Sequence, residues 1–145
     1  MQSLEQLKPI ALLFLRVALG VVFISHGYPK LFAHPKDMMP FFEHVGLPGY
    51  FVYLAGVIEF FGGSILILGL FTRIAGSLIA IEMCVALWKV HFPMGPITVT
   101  KNYEFPLVLC AAAFTLATVG AGMISVDHLI FGGGRKAPRK TKAIE

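Results

Sequence analysis

Charged residues are scarce in this chain of 145 residues: Asp, Glu, Lys and Arg make up 14% of it, whereas hydrophobic residues make up 57%. An ordinary soluble domain carries about 25% charged residues. The chain also lacks a polar stretch long enough to fold as a separate soluble core. This excludes a second catalytic domain, a nucleotide-binding fold and a nucleic-acid module, and it indicates an integral membrane protein in contact with the lipid bilayer.

Cysteine is also scarce. Cys84 and Cys110 are the only two, and each lies alone inside an apolar run. The sequence therefore contains no CxxC redox pair and no zinc-ligand spacing, and it predicts no metal site. Both cysteines are expected to be packing residues, because a buried thiol without a cationic neighbour is inert.

Four apolar runs account for more than half of the chain. They cover about residues 10–25, 50–71, 74–90 and 105–126. Since a bilayer-spanning helix needs roughly 20 apolar residues, the sequence predicts an all-α integral membrane protein, a bundle of four transmembrane helices. The bundle is expected to occupy residues 1–131 as one domain.

The first outer loop, about residues 26–49, is predicted to contain a short amphipathic segment at the membrane interface. Its apolar side chains recur at near-helical spacing: Met38, Met39, Phe41, Phe42 and Val45. Pro48 and Gly49 follow and are expected to end this segment before the second transmembrane helix.

Residues 132–145 form a basic tail, which is predicted to be disordered. Its basic residues are Arg135, Lys136, Arg139, Lys140 and Lys142. A basic tail after a hydrophobic span favours a cytoplasmic position and contact with anionic lipid over nucleic-acid binding. Four spans put both termini on one side of the membrane, so both are predicted to be cytoplasmic.

Three charged residues lie deep inside the predicted spans: Arg16, Glu59 and Glu82. Such a group is costly at mid-bilayer, so it usually faces the bundle interior and is paired. At 1.5 Å per residue, all three lie about 12 to 13 Å below the outer ends of their helices. The shared depth predicts one polar layer, in which Arg16 pairs with Glu59. A purely structural role for that pair, fixing helix register, is the alternative to a functional one.

One carboxylate then remains, because Arg16 cannot neutralise two. Glu82 is expected to be protonated, to pair with Lys89 seven positions further on, or to be exposed to water. Each outcome favours a polar cavity that opens to the outer side. The cavity mouth is predicted to collect side chains from helix ends and loops: His26, Lys30, Lys89, His91, Asn102 and Glu104.

Several of these residues lie in recognisable motifs. The motifs are L-R-V-A-L-G-V-V-F-I-S-H-G-Y-P-K-L (Leu15 to Leu31), A-G-V-I-E-F-F-G-G-S-I-L-I-L-G-L-F-T-R (Ala55 to Arg73), E-M at Glu82, H-F at His91, N-Y-E-F-P (Asn102 to Pro106) and G-A-G-M-I-S-V-D (Gly120 to Asp127). With them the chain resembles the DoxX family of small four-helix bacterial membrane proteins. The positions that the resemblance carries over are Arg16, His26, Lys30, Glu59, Glu82, His91, Asn102 and Glu104.

The resemblance implies a place in the bacterial cytoplasmic (inner) membrane and an association with oxidoreductases, including complexes that handle oxidative or thiol stress. The leading hypothesis is a redox component whose polar pocket binds a quinone or another small molecule and which works with a partner oxidoreductase. Glu59 and Glu82 would relay protons, and Arg16, His26 or His91 would hydrogen-bond the quinone carbonyls.

Two other classes of function stay open. One is a protein that binds or transports a small anion or metabolite, with Arg16 and Lys30 as its cationic contacts. The other is a scaffold without catalytic activity. The sequence contains no haem-ligand pair and no cofactor motif, and it decides neither whether the chain is an enzyme nor whether it forms a homo-oligomer.

Overall fold

The computed structural model describes residues 5–94 and 103–132, and this part of the chain is built from helices and turns. The elements, in chain order, are α1 (Lys8–Tyr28), a π-helical turn (Pro29–Ala33), α2 (Pro35–His44), α3 (Phe51–Leu68), α4 (Thr72–Ala86), a second π-helical turn (Leu87–His91), a 3-10 turn (Phe92–Met94), α5 (Glu104–Val119) and α6 (Val126–Phe131). Residues 133–145 of the predicted basic tail and Asn102 lie outside the described residues.

Three helical segments are long and apolar enough to cross a membrane: Lys8–Ala33, Phe51–Leu68 and Thr72–His91. The fourth apolar helix, α5, has 16 residues, which extend about 24 Å at 1.5 Å per residue. It is shorter than the run at 105–126 because Gly120 ends it with φ +87°. The all-helical class is confirmed, and a fourth membrane crossing stays a prediction.

The long helices form two tight pairs, α1 with α3 and α4 with α5. A Cβ atom at Gly27 would lie 2.5 Å from the Phe60 amide nitrogen, and one at Gly63 would lie 2.8 Å from the Gly20 carbonyl oxygen. A Cβ atom at Gly76 would lie 2.9 Å from the Ala113 carbonyl oxygen. The glycines therefore let the backbones approach closely, as small residues do between membrane helices. Between the two pairs lies a core that includes Leu19, Phe23, Leu66, Ile79 and Leu116.

The two ends of the bundle are built differently. At one end, which we call the α2 end, α2 lies over the start of α3. Helix α2 occupies the segment that the sequence predicts to be amphipathic. At the other, the α6 end, Asp127 joins three elements. Its carboxylate accepts hydrogen bonds from the Phe71 amide (2.7 Å) and the Thr72 amide (3.0 Å), and its own amide donates to the Gly69 carbonyl (2.8 Å). The closing motif thus satisfies amide groups at the start of α4, which that helix leaves unpaired.

Candidate functional site

A buried ion pair links the first π-helical turn to α3. The Lys30 ammonium donates to both carboxylate oxygens of Glu59 at 2.6 Å, and Glu59 is 3% exposed. Gly56, one turn before Glu59, leaves room for the Lys30 stem: a Cβ atom there would lie 3.0 Å from the Lys30 Cβ atom. The predicted pairing of Glu59 with Arg16 is therefore wrong.

Arg16 lies toward the α6 end instead. It is 1% exposed, its Nη2 group donates to the Ile124 carbonyl oxygen, and its guanidinium fills the space that a side chain at Gly69 would need. Gly69 follows Glu59 by ten positions, about 15 Å along α3. Arg16 and Glu59 therefore lie at different depths, and the predicted single polar layer does not include Arg16.

A cavity of about 470 Å³ lies between α3 and α4 and is covered by α2. Four of the predicted site residues line it: Lys30, Glu59, Glu82 and Lys89. The remaining wall is largely apolar and includes Met38, Phe42, Val45, Leu54, Ile58, Ile81 and Val85. The expectation of a polar pocket is thus corrected: a few charged groups converge in an apolar chamber, which is the usual composition of a small-molecule site.

Glu82 is the least satisfied polar group of this chamber. Its Oε2 atom is buried and has no hydrogen-bond partner among the residues that the structure describes. One of its three predicted alternatives, an ion pair with Lys89, is absent from the ion pairs of those residues, and the Lys89 ammonium lies over the Trp88 ring at 5.2 Å. A carboxyl oxygen buried without a partner is costly, so the chamber has an unmet hydrogen-bonding position at Glu82.

The other predicted site residues that the structure describes do not line the chamber. His26 is exposed, with its Nδ1 atom 2.8 Å from the Val22 carbonyl oxygen and its ring centroid 5.8 Å from that of Phe105. The His91 Nδ1 atom lies 3.2 Å from the Ala86 carbonyl oxygen. Glu104 is an exposed residue in the first turn of α5. Among residues 5–94 and 103–132, no three His, Cys, Asp or Glu side chains are grouped so that they could hold a metal ion.

The sequence reasoning missed a contact between the two cysteines. The Cys84 and Cys110 Sγ atoms lie 3.3 Å apart, and the Cys110 Sγ atom is 3.5 Å from the Ala80 carbonyl oxygen. Both cysteines are predicted from the sequence to be packing residues, with no contact between them; the structure brings the two thiols together and leaves Cys84 exposed. Helix-hairpin geometry could have revealed the contact, because Cys84 lies seven positions before the end of its π-helical turn at His91 and Cys110 six after Glu104. In an antiparallel hairpin, nearly equal distances from the loop give similar depths.

The sequence profile of the DoxX family matches residues 11–92, which include every residue of the chamber wall. The chain belongs to the DoxX family. A Bacillus subtilis protein named "Putative oxidoreductase CatD" is 34% identical over 127 residues, which cover 86% of this chain and 90% of that protein. The family and the apolar helices indicate a bacterial inner-membrane protein.

Two further relatives match along most of the chain. An uncharacterized Haemophilus influenzae protein is 33% identical over 139 residues, covering 90% of this chain and 98% of the relative. The Escherichia coli inner membrane protein YqjF is 23% identical over 127 residues, covering 88% and 97%. No solved structure matches.

Proposed function

We propose that the chain is a membrane redox component that binds a quinone in the chamber between α3 and α4 and works with a partner oxidoreductase. The observation that carries this proposal is the buried Glu82 Oε2 atom, which has no partner within residues 5–94 and 103–132 and faces an otherwise apolar chamber beside the Lys30–Glu59 pair. A ligand that is mostly apolar but carries oxygen atoms at its head matches this combination.

The chemistry of the two charged positions suits both redox states of a quinone. The Lys30 ammonium has three N–H donors, of which two are used on Glu59, so the third is free to bind a quinone carbonyl oxygen. Glu82 accepts a hydrogen bond from a quinol hydroxyl group. Because quinone reduction takes up two protons with two electrons, Glu82 is also placed to hand over a proton as a general acid.

The chamber wall supports entry from the lipid phase. Leu54, Leu78 and Ile81 line the chamber, yet they are 51%, 47% and 61% exposed on the bundle surface between α3 and α4. A ligand with an apolar tail can therefore place its head in the chamber while the tail stays among the lipids. An additional opening toward the outer side of the membrane stays a prediction.

Electrons for a quinone bound in the chamber must come from outside it, because the residues of the chamber provide a binding site and protons but no redox-active group, and we propose a partner oxidoreductase as their source. One relative carries the word oxidoreductase in its name, which supports a partner of this class, and a link to oxidative or thiol stress rests on the family resemblance. A native mass measurement of the complex purified from membranes tests both the partner and self-association. A homo-oligomer without another protein would argue against the partner.

The small-anion alternative is less favoured by the geometry. Its two cationic contacts, Arg16 and Lys30, lie toward opposite ends of the bundle, and Lys30 is already neutralised by Glu59. The scaffold alternative predicts that the purified protein binds no quinone.

We also propose that both termini are cytoplasmic, because five basic residues follow the last apolar helix and positive charge is retained on the cytoplasmic side. A fluorescent reporter that matures only in the cytoplasm, fused after Glu145, should be active. Alkaline phosphatase is active only after export, so activity of this enzyme fused at the same position would show that the orientation is the opposite one.

Binding is tested with the purified full chain in nanodiscs and a short-chain ubiquinone analogue, followed by thermal shift and native mass spectrometry. We expect wild type to be stabilised and to carry one quinone. When the analogue is reduced to its quinol, Glu82→Gln should weaken binding by roughly tenfold, because the quinol hydroxyl then loses a hydrogen bond to a charged group, which is about 1.5 kcal/mol. Ala86→Phe, which fills the chamber, should abolish it.

Matched controls lie outside the chamber. Glu104→Gln removes an exposed carboxylate, and Ala111→Phe adds a ring to an exposed position of α5; both should bind as wild type does. If wild type shows no shift and no bound quinone, or if Ala86→Phe binds normally, the chamber is not a quinone site.

A further inference from the structure

We propose that Cys84 and Cys110 form a second redox site, a dithiol that is oxidised to an interhelical disulfide by a membrane quinone. Their Sγ atoms are 3.3 Å apart, whereas bonded sulfurs lie about 2.05 Å apart. Closing the bond therefore requires the two sulfurs to approach by about 1.3 Å, which is within reach of small side-chain rotations. The two thiols come from facing positions of α4 and α5, helices that the Gly76 contact already holds together.

The surroundings of the thiols select the class of oxidant. Both cysteines line a groove on the outer surface of α4 and α5, together with Ile81, Trp88 and Phe114. These three side chains are 61%, 63% and 62% exposed, and Cys84 is exposed as well. A groove of this kind on a membrane-spanning helix faces lipid, so a charged thiol reagent such as glutathione is excluded while an apolar oxidant is admitted.

The redox step balances with a quinone as the only co-reactant. Two S–H bonds break and one S–S bond forms, so the protein loses two electrons and two protons. The quinone takes up both electrons, and its two carbonyl oxygens become the hydroxyl groups of the quinol. Reduction by quinol or by a partner dithiol runs the same step in reverse.

This site is separate from the chamber of the proposed function. Cys84 follows Glu82 by two positions, about 200° around the helix at roughly 100° per residue, so the two side chains lie on different sides of α4. Glu82 lines the chamber and Cys84 lines the groove, and neither residue lines both. The thiol reaction can therefore be measured without assuming that the chamber binds quinone.

The experiment uses the full chain in nanodiscs, reduced, freed of reductant and kept without oxygen. A short-chain ubiquinone analogue is added, quinol is followed by absorbance, and free thiols are counted by maleimide labelling and intact mass. Because the chain has two cysteines, we expect both labels to be lost, a mass lower by two hydrogen atoms and one quinol per chain. Two labelled thiols after incubation with excess quinone would overturn the proposal.

Cysteine variants distinguish the oxidation of two thiols held side by side from nonspecific oxidation of any two thiols. Cys84→Ser and Cys110→Ser should each keep one labelled thiol and produce no intramolecular disulfide. The double variant Cys110→Ser with Ala111→Cys keeps two thiols but turns the second about 100° around α5, so it should stay reduced at least tenfold longer. Equal rates for this variant and wild type would overturn the proposal.

A last variant tests the route of the oxidant. Ala86→Phe, which is expected to abolish quinone binding in the chamber and does not line the groove, should leave the rate of thiol oxidation as in wild type. Loss of thiol oxidation in this variant would contradict the assignment of the groove as the oxidant's site.

Discussion

Lys30 and Glu59 form a two-armed ion pair across the α1–α3 contact, with the ammonium 2.6 Å from each carboxylate oxygen and the side chains only 17% and 4% exposed. The pair closes one end of the chamber wall and fixes the first π-helical turn against α3. Burial costs both charges their hydration, so the pair contributes less net free energy than the attraction between the charges alone. Removing one partner leaves the other charge buried without a partner.

Removing one partner of this pair should destabilise the protein strongly. Lys30→Met and Glu59→Leu are each expected to lower the free energy of unfolding by about 3 to 5 kcal/mol, because the remaining charge stays buried without a partner. The double variant should recover much of this loss, since it leaves no buried charge. Thermal unfolding of the two single variants and the double variant, all in the same detergent, measures these changes in stability.

The exposed pair of Lys8 and Glu5 is the matched control. It has a similar distance, 2.8 Å, but its side chains are 66% and 69% exposed. Lys8→Met should therefore change stability by less than about 1 kcal/mol. Single variants at Lys30 and Glu59 that unfold like wild type would show that the pair is not buried as described.

The partner of Glu59 could not be predicted from the sequence because the end of α1 was placed too early, near Ser25. Pro29 resembles a helix stop, since proline lacks an amide hydrogen and clashes with the preceding turn. In the structure the chain continues instead through a π-helical turn, in which the His34 amide donates to the Pro29 carbonyl at 2.9 Å. That turn carries Lys30 inward to Glu59. The depth predicted for Arg16 is wrong because it is counted from Ser25, which is not the end of the helical segment.

Other features were within reach of the sequence. The hydropathy of the first three runs predicted three segments of spanning length, and the near-helical spacing of apolar residues in the first outer loop predicted the short helix α2. The role of Asp127 was out of reach, because its hydrogen-bond partners Phe71 and Thr72 precede it by 56 and 55 positions. A contact that distant depends on how the α6 end folds and leaves no local pattern.

Two neighbouring glycines of α3 should respond differently to alanine. A Cβ atom at Gly63 would meet the backbone of α1, 2.8 Å from the Gly20 carbonyl oxygen, whereas one at Gly62 would meet the flexible end of Ile79 at 3.2 Å. Gly63→Ala should lower the free energy of unfolding by about 1 to 3 kcal/mol, the usual cost of overpacking. Gly62→Ala should be close to neutral, because alanine also favours the helix. Equal unfolding temperatures would contradict the close approach of α1 and α3.

The Asp127 carboxylate should contribute measurably to the start of α4. Asp127→Ala removes the acceptor of the Phe71 and Thr72 amides and is expected to reduce stability by about 1 to 2 kcal/mol, the range for the loss of a helix N-terminal acceptor. Asp127→Asn keeps one acceptor oxygen and should lose less. Asp37→Ala, at a carboxylate that is 81% exposed, should have little effect, and hydrogen exchange of the Phe71 and Thr72 amides should rise only in the Asp127 variants.

Arg16 and Gly69 should behave as a coupled pair rather than as independent sites. Gly69 has φ +67°, a conformation in which alanine costs about 1 kcal/mol, and its added Cβ atom would also collide with the Arg16 guanidinium. Gly69→Ala should therefore be severely destabilising in the wild-type background and cost less when Arg16 is already alanine, where only the strained backbone and a 2.7 Å contact with the Ser125 Cβ atom remain. The coupling from a double-mutant cycle is expected to reach about 1 to 3 kcal/mol, as for residues in direct contact. Additive effects of the two substitutions on the unfolding temperature would mean that the guanidinium does not occupy the space beside Gly69, and the assignment of Arg16 to the α6 end would fail with it.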